Sequence, residues 1–110
     1  MNIKKLYLDD IRIPKTNDFI IVRSFQEAIK YIEEFNIPHY ISFDHDLGVD
    51  ENDFLLPTGY DFARWLVEMD LDGIYNFPEN FQYNVHSANP VGRHNIESLL
   101  DNYLHFKIRY

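Results

Sequence analysis

The stretch Tyr40-Ile41-Ser42-Phe43-Asp44-His45-Asp46 decides how this chain folds. An apolar run ends abruptly in two carboxylates and an imidazole. Two other runs end the same way: Ile3 to Leu8 meets Asp9-Asp10, and Phe81 to Val85 meets His86-Ser87-Ala88-Asn89. If these runs are neighbouring parallel strands, their C-terminal ends meet along one edge, where open α/β sheets place their sites. Four carboxylates and a histidine would converge there, which points to a divalent metal and phosphate chemistry.

Outward from that stretch, the chain reads as strands alternating with helices. Phe19 to Val22 is a second short strand, rich in β-branched residues. Ser24-Phe25-Gln26-Glu27 is a capping box, and Phe25, Ala28, Ile29 and Ile32 follow at helical spacing. That helix should end near Asn36, before Ile37-Pro38. Leu47 to Pro57 reads as a loop. Thr58-Gly59-Tyr60-Asp61 is a second capping box, opening a helix that buries Phe62, Trp65, Leu66 and Met69 and stops between Asp70 and Gly73. Asn89 looks like an N-cap with Pro90 at the first helical position, and Ile96, Leu99, Leu100, Tyr103 and Leu104 share a face. Phe106 to Tyr110 is either a short terminal strand or a frayed tail. The gap between the first two strands is too short for an ordinary helix. The order β-β-α-β-α-β-α, with or without a last strand, predicts a three-layer α/β fold on a mainly parallel sheet of four to five strands.

Composition narrows the function. At 110 residues the chain is expected to be one domain spanning 1–110, and 45% hydrophobic residues supply its core. A net charge of −8 repels a phosphate backbone, so long nucleic acid is not an expected partner. A small phosphorylated ligand held by a metal and a few arginines remains compatible. With no cysteine there is no thiolate zinc site and no thiol nucleophile. No apolar run approaches the length of a membrane span and no signal peptide opens the chain, so a cytoplasmic protein away from membranes is expected.

Asp9-Asp10 is either a cation site or a solvated turn, since adjacent carboxylates repel unless something offsets their charge. Asp44 and Asp46 share a strand face by the period of two, with His45 opposite. Their hard oxygens suit magnesium, manganese or calcium. Asp50, Asn52 and Asp53 lack the spacing of an EF-hand loop. The pair His45-Asp46 in a strand context does not fit the all-helical metal phosphohydrolases. With a single His-x-Ser/Thr element obvious, the two-histidine phosphoesterase pattern is not met. His86 can exchange a proton near neutral pH, and the helix start after it attracts phosphate. Arg93 can bind an anion in bidentate fashion or pair with a surface acid. Arg12 either binds substrate phosphate or neutralises the neighbouring acids. Thr58 and Asp61 read as caps, and Tyr60 and Trp65 as packing residues. His39, His94 and His105 carry no specific signal.

These motifs resemble two-component receiver domains. Asp9-Asp10 looks like their acidic pair, Asp44 like the phospho-acceptor, and Ser87-Ala88 like the switch Ser/Thr-Ala. The resemblance implies a flavodoxin-like receiver fold with a reduced first crossover, and a magnesium ion beside Asp44. The receiver lysine has one candidate, Lys107. His45, Asp46, His86 and Asn89 are extra to that pattern. With Leu8-Asp9-Asp10-Ile11-Arg12, Asp44-His45-Asp46-Leu47-Gly48, Thr58-Gly59-Tyr60-Asp61 and His86 to Arg93, the chain is similar to the cyclic-phosphate-processing receiver family.

The expectation is therefore a metal-dependent phosphoesterase that opens a small cyclic phosphate, of the ADP-ribose cyclic phosphate or cyclic nucleotide type. Asp9, Asp10, Asp44 and Asp46 would hold Mg2+ or Mn2+, and Asp44, His86 and His45 would be catalytic. Arg12, Ser87, Asn89 and Arg93 would bind a nucleotide-type ligand. Asp44 could instead attack phosphorus directly. A divergent phospho-accepting signalling module and a non-catalytic nucleotide binder are the alternatives.

Overall fold

In the computed structural model, which describes residues 4–109 (the backbone alone for 108 and 109), Lys5–Leu8 forms β1 and Phe19–Val22 forms β2. Phe25–Phe35 is α1, Tyr40–Phe43 is β3, and Gly59–Leu71 is α2. Gln82–Val85 is β4 and Pro90–Arg109 is α3. Ile3 and Tyr110, the outer ends of two expected segments, lie outside the described residues.

The sheet order is β2-β1-β3-β4, and every pair is parallel. The step from β1 to β2 moves one way across the sheet, and the step from β2 to β3 moves back past β1. Right-handed crossovers place two such connections on opposite faces. Residues 9–18, without a helix, serve one face, and α1 and α2 serve the other. All three helices feed one core: Ala28 and Ile32, Phe62 and Leu66, and Ile96 and Leu100 pack with Leu6, Leu8, Ile41, Phe43 and Val85. The layers are thus unequal. On the helix-poor face, Tyr7 meets Phe19 edge-on at 5.6 Å and Phe19 meets Tyr40 at 6.0 Å. The Lys5 amine lies over Phe19 and Tyr40 and pairs with Asp18 at 2.9 Å.

The expected helix signals are satisfied by hydrogen bonds. Ser24 Oγ accepts the Glu27 N–H at 3.1 Å, and Glu27 accepts the Arg23 N–H at 2.8 Å. Thr58 and Asp61 close the second capping box. α1 stops at Asn36, whose φ of 68° ends the helical ladder.

Two expectations change. Phe106 to Arg109 continue α3, so no fifth strand forms there. The reason is Asp70, buried near the end of α2. Its carboxylate accepts from the Phe77 N–H at 2.9 Å, the Lys107 ammonium at 2.9 Å, the Asn76 amide at 3.2 Å and the Tyr103 hydroxyl. Tyr103 and Lys107, one turn apart on α3, hold its last turns against α2. Lys107 is therefore no receiver lysine. Asp70 lies 11 residues along α2 from Gly59, which is about 16 Å of helix.

Candidate functional site

The sheet ladder runs one residue beyond each of three strand ends. Asp9 donates its N–H to Val22 O at 3.1 Å, Asp44 to Leu8 O at 2.9 Å, and His86 to Phe43 O at 2.9 Å. Asp9, Asp44 and His86 are thus the next row after Leu8, Phe43 and Val85, which are paired in register. Alternation puts that row on the side opposite the core, with Tyr7 and Ser42 beneath it. One ligand atom from each of the three lies within 4.8 Å of the others.

His86 is fixed on three sides. Its Nδ1 is 2.7 Å from Ser42 Oγ, and its Nε2 is 3.0 Å from Asp9 Oδ2. Its ring stacks on Tyr7 with centroids 4.4 Å apart and planes 3° apart. Its carbonyl accepts from the Arg12 guanidinium at 3.2 Å.

The two carboxylates differ in character. Burial pushes Asp9 up, but the N–H groups of Arg12 and Ile11 and the His86 ring together hold it below its ordinary value. Burial also lifts Asp44, and the charge of Asp9 lifts it further; the His45 N–H, His86 and Arg12 offset this only in part. Asp44 has one hydrogen bond to its carboxylate, from the His45 N–H at 2.9 Å. Two buried acids side by side, one short of donors, make a site that a cation would complete.

A second network stands beside this row. The period of two ends with the ladder at Asp44, so Asp46 does not rejoin it. Its carboxylate faces His45 Nδ1 at 3.0 Å and the Asn89 amide at 3.2 Å. The hydrogen bond from His45 holds Asp46 below its usual range. Asn89 Oδ1 accepts the Gly92 N–H at 3.0 Å and so caps α3, while Ser87 Oγ accepts the Asn89 N–H at 3.1 Å. Asp10 is half-buried beside Gly48. Arg93 is exposed and pairs with Glu97 at 3.3 Å. Asp50 accepts from the N–H groups of Asn52 and Phe54, so that acid organises a turn.

Five site-building residues were given no role of their own in the sequence reading. Ser42 and Tyr7 look like ordinary strand residues, yet each sits two positions before a row carboxylate, so the period of two marks them. Arg23 donates to the carbonyls of Asp9 and Arg12, pinning the turn that feeds Asp9 its N–H donors. Gly59 and Gly92 let helices approach the site. A Cβ at Gly59 would lie 1.7 Å from Asp44 O, and one at Gly92 would lie 2.3 Å from the His45 ring. A groove of about 630 Å³ between α2 and α3, lined by Tyr60, His94, Asn95 and Leu99, holds none of these residues.

Among the described residues, no helix is long and apolar enough to cross a membrane. A family model described as the cyclic-phosphate processing receiver domain matches residues 4–102. Comparison with curated proteins and with solved structures finds no match.

Proposed function

Because the chain belongs to the cyclic-phosphate processing receiver family, we propose that it is a metal-dependent phosphoesterase opening a small cyclic phosphate, of the ADP-ribose cyclic phosphate or cyclic nucleotide type. The observation that carries this reading is the row of Asp9, Asp44 and His86, three donors within 4.8 Å on adjacent strand ends.

The donor set fits a divalent cation. Asp9 and Asp44 offer hard oxygens suited to Mg2+ or Mn2+, and His86 adds a nitrogen. When bound, the cation would neutralise the two carboxylates and supply a Lewis acid for a phosphoryl oxygen. Asp10 and Asp46 would act as outer carboxylates around that centre. Asp44 would instead attack phosphorus if the reaction ran through an aspartyl phosphate.

The remaining work falls to the protein. With its Nε2 on the cation, His86 would help to hold and orient that centre, and proton transfer, a role worth about 10²–10⁴-fold, would fall to the second histidine. His45, held through Nδ1 by Asp46, keeps its second nitrogen for the same task. Arg12, whose guanidinium donates to the His86 carbonyl, would bind a phosphate oxygen beside the row. Arg93 would leave Glu97 to join it, since an exposed pair four residues apart on a helix is worth only about 0.3–0.5 kcal/mol. Ser87 and Asn89 shape the start of α3, where backbone N–H groups favour an anion. The ligand is then a small nucleotide-type phosphate handled by a cytoplasmic protein.

Phosphorus NMR tests this. The protein is incubated with ADP-ribose cyclic phosphate and with 2′,3′-cyclic nucleotides, with and without Mg2+ or Mn2+. Metal-dependent ring opening that is lost in His86→Ala is the expected result. No turnover of any substrate, together with a stable phosphoryl group on Asp44 after acetyl phosphate treatment, would replace the enzyme with a signalling receiver. Tight binding without turnover, surviving His86→Ala, would leave a nucleotide binder.

A further inference from the structure

Ser42 is buried in the middle of the sheet, on the helix-poor face, two residues before Asp44. Its hydroxyl is 2.7 Å from His86 Nδ1, while Nε2 on the far side of the ring is 3.0 Å from Asp9. Asp9 already accepts two backbone N–H groups on its other oxygen, so it faces His86 as an ionised acceptor. Nε2 then carries the ring proton, and Nδ1 presents a lone pair to Ser42. Tyr7 stacks on the ring, a packing contact that opposes its turning over to exchange its nitrogens.

That arrangement conflicts with metal binding unless the proton can change sides, because a nitrogen that ligates a cation must present a lone pair. A hydroxyl resolves the conflict, since it both donates and accepts. We infer that Ser42 is a positioning residue that serves both tautomers of His86, donating to Nδ1 in the metal-free protein and accepting from Nδ1–H when Nε2 turns its lone pair to a cation. The Nε2 proton leaves to water and a proton from water arrives at Nδ1, so the ring stays neutral. The Ser42 hydroxyl rotates to follow the proton, and the Asp9 carboxylate shifts from its place against Nε2 to admit the cation. The second half of this inference rests on the metal reading above, and the first half does not.

Two-bond ¹⁵N–¹H NMR of histidine-labelled protein reads the tautomer directly. In metal-free protein, His86 should show one species, protonated at Nε2. Ser42→Thr keeps a hydroxyl and should keep that species with its Nδ1 shift, whereas in Ser42→Ala Asp9 still holds the proton at Nε2 and the Nδ1 signal, without its hydrogen bond, should shift. An unshifted Nδ1 in Ser42→Ala, or Nδ1–H in the metal-free wild type, would overturn the positioning role. Mg2+ is then added, and separately Zn2+, a diamagnetic probe better suited to imidazole. The Asp44 carboxyl ¹³C signal reports binding, and the His86 proton should move to Nδ1. Ser42→Ala should weaken binding about 10–100-fold, and Ser42→Thr should restore it. If Asp44 responds while Nε2 keeps its proton, the tautomer exchange is wrong and the metal site stands. If Asp44 does not respond, the metal site and the exchange both fall, and the metal-free spectra still decide the positioning role.

Discussion

Asp9 and Asp44 stand side by side on neighbouring strands with opposite acid–base behaviour. Asp9 is held below its ordinary value and Asp44 is lifted above it. Asp44 therefore takes up the first proton as pH falls, and it is also the group that gains most from a cation.

Cation binding should stabilise the fold through this pair. A ligand that binds only the folded state, at a hundredfold excess over its dissociation constant, adds about 2.7 kcal/mol. Thermal unfolding with and without Mg2+ should show a clear rise for the wild type and almost none for Asp44→Asn. Equal rises in both proteins would remove Asp44 from the site.

The sign of the pH dependence follows from the direction of each shift. A carboxyl raised in the folded state costs stability once it ionises, so the cost of Asp44 grows as pH rises from about 4 through its folded value. Asp44→Asn should remove that cost and make the metal-free protein more stable at neutral pH. The gain should disappear when the comparison is made in saturating Mg2+. Urea unfolding at pH 4 and pH 7 measures both effects; a loss of stability in metal-free Asp44→Asn at neutral pH would contradict the lifted value.

The sequence carries the row because strand ends and alternation are local signals. Asp9, Asp44 and His86 each close an apolar run, and the parallel order places those closures side by side. The helix starts at Ser24, Thr58 and Asn89 were legible for the same reason, since capping is set within four residues. What escaped depends on contacts across the fold. Asp46 follows Asp44 at the right period, but the period has no force once the ladder ends. Lys107 looked like a site lysine because nothing local reveals that Asp70, 37 residues away, holds it. Ser42 and Tyr7 gain their roles only when β4 brings His86 over them. Gly59 and Gly92 are ordinary helix-start glycines until the distances to Asp44 and His45 are known.

Asp70 should dominate stability at the end remote from the site. Burial raises it, but the Tyr103 hydroxyl, the Lys107 ammonium, the Phe77 N–H and the Asn76 amide together hold it below its ordinary value. The stability it contributes is present above about pH 4 and is lost as pH falls through the folded value. Asp70→Ala leaves a buried N–H and an ammonium without their acceptor, a loss of about 3 kcal/mol. Denaturant midpoints should show that loss at pH 7 and a smaller one at pH 3. The same loss at both pH values would place the effect in packing rather than charge.

Gly92 separates the second network from the fold. A Cβ there would stand 2.3 Å from the His45 ring, a side chain able to move, whereas a Cβ at Gly59 would stand 1.7 Å from the Asp44 backbone, which is fixed by the sheet. Gly92→Ala should therefore cost about 1–3 kcal/mol, the usual range for an overpacked contact. It should also push His45 away from Asp46. Gly59→Ala should cost more and disturb Asp44 itself. Histidine NMR and thermal unfolding of the two variants distinguish them. In Gly92→Ala the His45 resonances should shift while those of His86 stay in place, and ring opening should fall although the protein remains folded. Unchanged ring opening with a displaced His45 would take His45 and Asp46 out of the chemistry and leave the row of Asp9, Asp44 and His86 to act alone.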